Sequence, residues 1–420
     1  MLDDETPKHR KMGAASRWWL HHSLASLDEA LRARGSRLIL RRGKSDEMLA
    51  AVAAEMGATR VHALHHYEPW WRNAERAVAE RLDLVLHDGN YLAPAGSVAT
   101  GGGRPFKIFT PFWRALREQM PPPEPLPPPE RIDAPADWPA SERLDDWQLL
   151  PTHLDWATGF AAEWTPGEPG ALDRLADFAA IAARYEDQRN LPSIDGTSRL
   201  SPHLHFGEIS PATVWHAVAS RGGSVGTFLS ELGWRDYAQN VIVQLPDYGR
   251  VNGRPQLDTI PWRGAPDDLA AWQRGLTGYP IVDAGMRQLW TSGWMHNRVR
   301  MITASFLVKH LLIDWRAGEQ WFWDCLVDAD YGSNATNWQW VAGSGIDANM
   351  FSRIMAPLVQ SEKFDAADYI RRWVPEIAGL ADADIHDPPD SLRGGYPAKI
   401  IGHREARERA LSALAMAKAG

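Results

Sequence analysis

The sequence holds one cysteine, Cys325, in 420 residues, so no disulfide can close within the chain and a reducing, cytoplasmic setting is expected. Long apolar runs are also missing. The longest, near Met301–Ile313, is interrupted by Lys309 and His310, and no charged-then-apolar leader stands at the start, so no membrane association is expected. Positive charge is not in excess: 45 Lys and Arg stand against 53 Asp and Glu, a net charge of −8. Any nucleic-acid contact must then be a local basic patch on an acidic surface. The fifteen histidines show no metal-ligand spacing, and no nucleophile stands beside a base. Chemistry is therefore expected from a bound organic cofactor that the protein orients.

What is abundant is tryptophan, 21 residues, most of which an aromatic-rich helical core would explain. Residues 16–34 read as an amphipathic helix, followed by strand candidates Arg37–Leu40, Arg60–Leu64 and Leu82–Leu86 with helical patterns at 45–56 and 72–81 between them. That alternation predicts a parallel α/β sheet. Nine prolines in 121–139 predict a stiff extended linker. Beyond it, 3.6-residue periods dominate at Leu172–Tyr185, Pro211–Ser220, Val225–Gln244, Tyr279–Trp290 and Trp321–Leu326, and predict a mostly helical region. The expected domains are 1–115, a linker at 116–165, and 166–420.

Chemistry concentrates in residues 294–340. A helix starting at Trp294 places Asn297, Arg300 and Met301 on one face, where an amide, a guanidinium and a thioether meet a ligand with polar edges and an apolar plane. Asp328 and Asp330 follow in a loop-like stretch with Gly332 and Asn334, able to accept from ring or ribose donors. Trp338 and Trp340 add aromatic surface. The bland alternative is a helix with Met301 as core filling and Arg300 paired to a carboxylate such as Asp328. Thr197-Ser198-Arg199-Leu200-Ser201 reads either as a phosphate-collecting turn or as an ordinary helix start capped by Ser201 ahead of Pro202. Glu231, Trp234 and Arg235 share a helical face, suited to a base-like ligand or to a half-buried Trp beside a solvated Glu–Arg pair. Gln273–Pro280 reads as a glycine-punctuated structural turn.

Together these blocks resemble the DNA photolyase/cryptochrome family over about Gly13 to Glu405, most specifically in Thr277–Trp290, Trp294–Trp315 and Asp328–Trp340; the nearest subtype is class I, acting on the cyclobutane pyrimidine dimer. The resemblance implies an N-terminal α/β antenna domain with a Rossmann-like parallel sheet and a helical C-terminal domain holding FAD. It marks Tyr185, Thr197, Ser198, Arg199, Leu200, Ser201, Asn297, Arg300, Asp328, Asp330 and Asn334 as flavin-binding, with Asn297 facing the flavin N5. Glu231, Trp234, Asn297, Met301 and Trp340 are implied to serve repair around a flipped lesion, with Trp234 also on DNA. Arg189, Arg298 and Gln360 match DNA-contacting positions, and Trp262, Trp315 and Trp338 an electron relay.

The implied activity is blue-light repair of cyclobutane pyrimidine dimers in UV-damaged DNA by reduced anionic FAD, with a second antenna chromophore of folate or deazaflavin type whose identity is open. The alternative is a cryptochrome-like photoreceptor without repair activity. A monomer with no obligate protein partner and no metal is expected. The chain departs from the family in lacking the first strand and the Arg-rich loop after it, from which a longer natural protein is expected, and in having Phe228 where a Trp is common.

Overall fold

The computed structural model describes residues 1–4, 6–152, 155–348 and 350–419. By its internal contacts the chain forms two compact units: Met1–Ala183, Ser198–Pro246 and Val327–Gly332 make the first, and Arg184–Thr197, Asp247–Leu326 and Ser333–Gly420 the second.

In the first unit the helix Ala14–Ala33 buries Trp18 and Trp19. The helix Ser45–Met56 stops at Gly57, whose φ of 63° is the left-handed cap that glycine supplies without strain. Strand β1 (Arg60–Leu64), the helix Pro69–Ala79 and strand β2 (Asp83–His87) then form one crossover unit, with β1 and β2 parallel and Arg60 opposite Asp83. The strand expected at Arg37–Leu40 has no regular secondary structure and joins no sheet. Its backbone is taken by the segment after the prolines: Leu40 N–H donates to Ser141 Oγ at 2.9 Å, and Glu142 N–H donates to the Leu40 carbonyl at 2.9 Å. Leu2 bridges Arg42 in parallel, and Leu2, Leu40, Trp147 and Leu149 form a small buried cluster. The proline-rich stretch 121–139 contains neither helix nor strand.

The helices Glu168–Ile181, Pro211–Ala219 and Gly226–Gln244 follow in the same unit. Along Gly226–Gln244 three polar residues, Asp236, Gln239 and Asn240, are buried. Two of them hold a loop: Asp236 Oδ1 accepts from Ala93 N–H at 3.0 Å and Asn240 Oδ1 from Gly96 N–H at 2.8 Å. Gly233 lets Trp113 approach, since a Cβ there would lie 2.4 Å from its ring.

The second unit is helical, with Pro266–Arg274, Pro280–Ser292, Asn297–Ser305, Trp315–Cys325, Ala367–Trp373 and His403–Ala419 among its elements. Buried Asp283 accepts from the backbone N–H groups of Thr277 and Gly278 and from the Thr277 and Tyr396 hydroxyls, so the turn before Pro280 is structural, as its glycines suggested. The helix expected from Trp294 begins only at Asn297. His296 Nδ1 accepts from Arg298 N–H at 3.2 Å, and this cap fixes where the helix starts. The helix runs into a π turn, Phe306–His310, and then Leu312 at φ 54°. Arg263 fastens this segment, its N–H donating to the Leu312 carbonyl at 2.8 Å and its Nη1 to that of Leu311 at 2.9 Å.

Candidate active site

In the first unit Ser198–Ser201, four of the five residues of the expected turn, are held by partners distant along the chain. Leu200, with no side-chain cap, holds the cap position of the helix Ser201–His205. Ser201 does not cap its own helix; its hydroxyl donates to Asp328 Oδ2 at 2.6 Å, 127 positions away. Arg199 sits at φ 52°, a left-handed conformation that costs a non-glycine residue free energy. Its guanidinium is spent on Glu163 at 3.0 Å and lies 4.4 Å from the Trp164 ring, so it braces the turn from behind. Arg174 Nε donates to the Ser198 carbonyl at 2.8 Å. The turn is thus held by Arg174 at the Ser198 carbonyl and by Asp328 at the Ser201 hydroxyl, and from within by Leu200 N–H, which donates to Ser198 Oγ at 3.4 Å.

Asp330 is 7% exposed, and Gln239 Nε2 donates to both its oxygens at 3.1 Å. Gln239 Oε1 is buried without a hydrogen-bond partner. Around this carboxylate, burial and then Asp330 itself push Glu68 up to about 7, and burial holds His205, 3.9 Å from Asp330, below the usual imidazole range. A carboxylate kept in such surroundings is a strong acceptor for a ligand N–H or O–H. Glu231 and Trp234 do share a helical face, but Arg235 pairs with neither: it donates to the Leu204 carbonyl at 2.7 Å and the Asn90 carbonyl, and lies over Tyr91. Trp234 is half-buried and stacks on Phe109 with centroids 3.6 Å apart.

In the second unit Asn297 is exposed at the first turn of its helix, while Asn334 is buried and its Nδ2 donates to Glu319 Oε1 at 2.9 Å and the Glu319 carbonyl at 3.0 Å. Both amide hydrogens being used, the Asn334 oxygen is directed away as an acceptor. Arg300 Nε donates to the Met295 carbonyl at 2.7 Å. Arg298 donates to Asn190 Oδ1 at 2.6 and 3.1 Å, reaches Met301 Sδ at 3.5 Å and lies 4.6 Å from the Phe364 ring. Arg189 lies 5.3 Å from the Tyr185 ring. Burial, and then Arg298, Arg300 and Arg189, push His296 down to about 4, so it is neutral at physiological pH within a basic cluster. Gln360 is half-buried on the helix Pro357–Lys363.

The three tryptophans of the expected relay are all in the second unit. Trp338 is 3% exposed, against Phe322 at 4.9 Å, and Trp315 is 0% exposed, whereas Trp262 is half-buried. Trp340, two residues after Trp338, is also half-buried. Gly318 allows the Trp338 ring onto the helix one turn after Trp315, since a Cβ there would lie 2.1 Å from the ring. The residues that sequence reasoning missed are the holders, Gln239, Glu319 and Asn190. Gln239 alone left a signal, a polar residue at an apolar phase of a long helix. Among the described residues no group of His, Cys, Asp or Glu could hold a metal ion, and no helix is long and apolar enough to cross a membrane.

Residues 1–130 match the family model described as DNA photolyase, and residues 228–416 that of the FAD binding domain of DNA photolyase. The chain is 46% identical to the deoxyribodipyrimidine photo-lyase of Agrobacterium fabrum over 97% of its own length and 90% of the relative's. For the enzyme of that name from Streptomyces griseus the figures are 40%, 93% and 87%. Among solved structures, a bacterial class III photolyase from Agrobacterium tumefaciens aligns with a TM-score of 0.94 and 47% identity, covering 97% of this chain and 89% of that one. That relative's class III differs from the class I subtype expected from the motifs. The α/β region, the helical region and the matched length agree, and the chain belongs to the DNA photolyase family.

Proposed function

We propose that the protein is a deoxyribodipyrimidine photo-lyase, repairing cyclobutane pyrimidine dimers in UV-damaged DNA under blue light. One observation carries the reading: the acceptors expected against a flavin are buried and aimed by a second residue, Asp330 by Gln239 and Asn334 by Glu319. Such fixed acceptors fit a planar ring system with polar edges. FAD, when bound and reduced, supplies the excited electron that splits the cyclobutane ring and takes it back afterwards.

The residues proposed to hold FAD are Tyr185, Thr197–Ser201, Asn297, Arg300, Asp328, Asp330 and Asn334. Ser201 and Asp328, already joined, present a preformed polar edge. Of the two amides, Asn334 has the buried, fixed oxygen that an N5 partner needs, and exposed Asn297 suits the lesion side better. Glu231, Trp234, Met301 and Trp340 are assigned to the flipped dimer, whose extrusion is the course photolyases share with other base-modifying enzymes. Arg189, Arg298 and Gln360 are assigned to DNA, and Trp262, Trp315 and Trp338 to photoreduction of the cofactor. An antenna pigment, a monomeric state and a cytoplasmic location complete the reading.

The test is a pair of variants. Glu231→Ala should lower repair yield while FAD stays bound, and loss of FAD would move that residue to the cofactor. Trp262→Phe should slow photoreduction of oxidised FAD and spare repair by enzyme already reduced; equal loss of both would refute the relay.

A further inference from the structure

When an electron leaves a tryptophan, the fate of the positive hole depends on what the indole N–H faces. Trp315 is 0% exposed and its Nε1 donates to Asn252 Oδ1 at 2.9 Å. Asn252 is itself 5% exposed, and its Nδ2 donates to Asp258 Oδ1 at 2.7 Å. Asp258 is exposed. Indole, amide and carboxylate therefore form one hydrogen-bonded chain leading from the core of the second unit to its surface. Oxidation makes an indole N–H strongly acidic. An amide oxygen accepts a hydrogen bond well but is a very weak base, so it stabilises the cation without removing its proton. The carboxylate polarises the amide and raises the negative charge on its oxygen.

The other charges at the ring nearly cancel. The Arg316 guanidinium lies 4.8 Å from the Trp315 centroid and opposes a hole, but its Nη1 is 3.0 and 3.1 Å from the two Asp314 oxygens. Position in the chain of transfer follows from packing. The segment after Trp262 is fastened by Arg263 to Leu311 and Leu312, just before Trp315, and Trp338 lies on Gly318, one turn beyond it. Trp315 thus stands between the other two.

We propose that Asn252, backed by Asp258, is a positioning residue that tunes Trp315: it stabilises an electron hole there and keeps the indole N–H protonated, so the hole passes to Trp262 and is not trapped as a neutral radical. The proposal rests on the relay reading of Trp338, Trp315 and Trp262. The oxidant is photoexcited oxidised flavin. One electron leaves Trp338, Trp315 refills Trp338, Trp262 refills Trp315, and no N–H bond of Trp315 breaks.

The experiment is flash transient absorption on the flavin-loaded enzyme, reading which tryptophan radical forms. In Trp262→Phe the hole should stop at Trp315 and show the protonated radical-cation spectrum. Adding Asn252→Asp places a base at the indole, and the radical should become the blue-shifted neutral form. A neutral radical already present in Trp262→Phe, or a cation that persists with Asn252→Asp, would overturn the proposal. Should that buried variant fail to fold, Asp258→Asn, at the surface, serves instead. In the otherwise unsubstituted enzyme it should lower the yield of holes reaching Trp262, and an unchanged yield would overturn the proposal. Trp315→Phe separates the two levels. If it leaves the radical signal intact, the relay reading falls and the tuning with it; if it abolishes the signal while the Asn252 and Asp258 variants change nothing, the tuning alone falls.

Discussion

The two strands and the tryptophan-bearing helices use apolar side chains in opposite ways. In β1 and β2 Leu64 and Leu86 are 44% and 36% exposed, whereas Trp272 and Trp315 are 0% exposed and Trp338 3%. Trp272 also donates its Nε1 hydrogen to the Thr303 carbonyl at 3.0 Å. A two-stranded parallel sheet showing leucine to water contributes little stability by itself. Close-packed indoles with fixed N–H directions have one arrangement, and moving any of them costs a cavity or a clash. The lesson concerns where precision resides: Trp315, Trp338 and Asn334 are buried on helices, and the Trp315 indole and the Asn334 amide are each held by a named partner.

Four perturbations sharpen that contrast, in falling order of effect. The largest concerns Asp236, which burial pushes up to about 7. Unfolded, it ionises near 3.8, so between these values the folded state holds the extra proton. This group's contribution therefore falls as pH rises from about 4 to about 7 and is level above, a change of at most about 4 kcal/mol. Asp236→Asn keeps an oxygen for the Ala93 N–H, and denaturant midpoints across that window should lose this component.

Next is Gly318→Ala, whose methyl would meet Trp338 at 2.1 Å and Leu307 at 2.6 Å. Alanine gains about 1 kcal/mol of helix propensity, but overpacking costs more, about 3 kcal/mol, so urea denaturation should show a net loss of about 2 kcal/mol. Third, Arg298→Ala should weaken binding of UV-damaged DNA and reduce the slope of log affinity against log salt by about 1, the signature of one lost phosphate contact. A changed affinity with an unchanged slope would assign Arg298 to holding Asn190 and Phe364. Smallest, Leu64→Ala and Leu86→Ala should each cost about 1 kcal/mol, a fraction of the cost at a fully buried leucine, since each side chain is only partly covered.

Much of the helical pattern was legible because helical periodicity is local. Pro211–Ala219 and Gly226–Gln244 appear within a residue of their expected starts, and β1 where its apolar run stands. The misses share a physical cause in partners distant along the chain. Arg37–Leu40 has the composition of a strand, yet its backbone pairs with residues about a hundred positions on. Ser201 has the sequence setting of a cap and binds Asp328 instead. Asn252 carries no local signal, since its meaning comes from Trp315, 63 positions later. Asp328 and Asp330 stood out from composition alone, but Gln239, which aims Asp330, is known only from the fold.

The central claim is light-driven repair, and the most direct measurement follows thymine absorbance in UV-damaged oligothymidylate with anaerobically reduced, FAD-loaded protein under blue light against a dark control. The account predicts light-dependent recovery of thymine absorbance. No recovery despite stoichiometric FAD would contradict it and leave a flavin photoreceptor in its place.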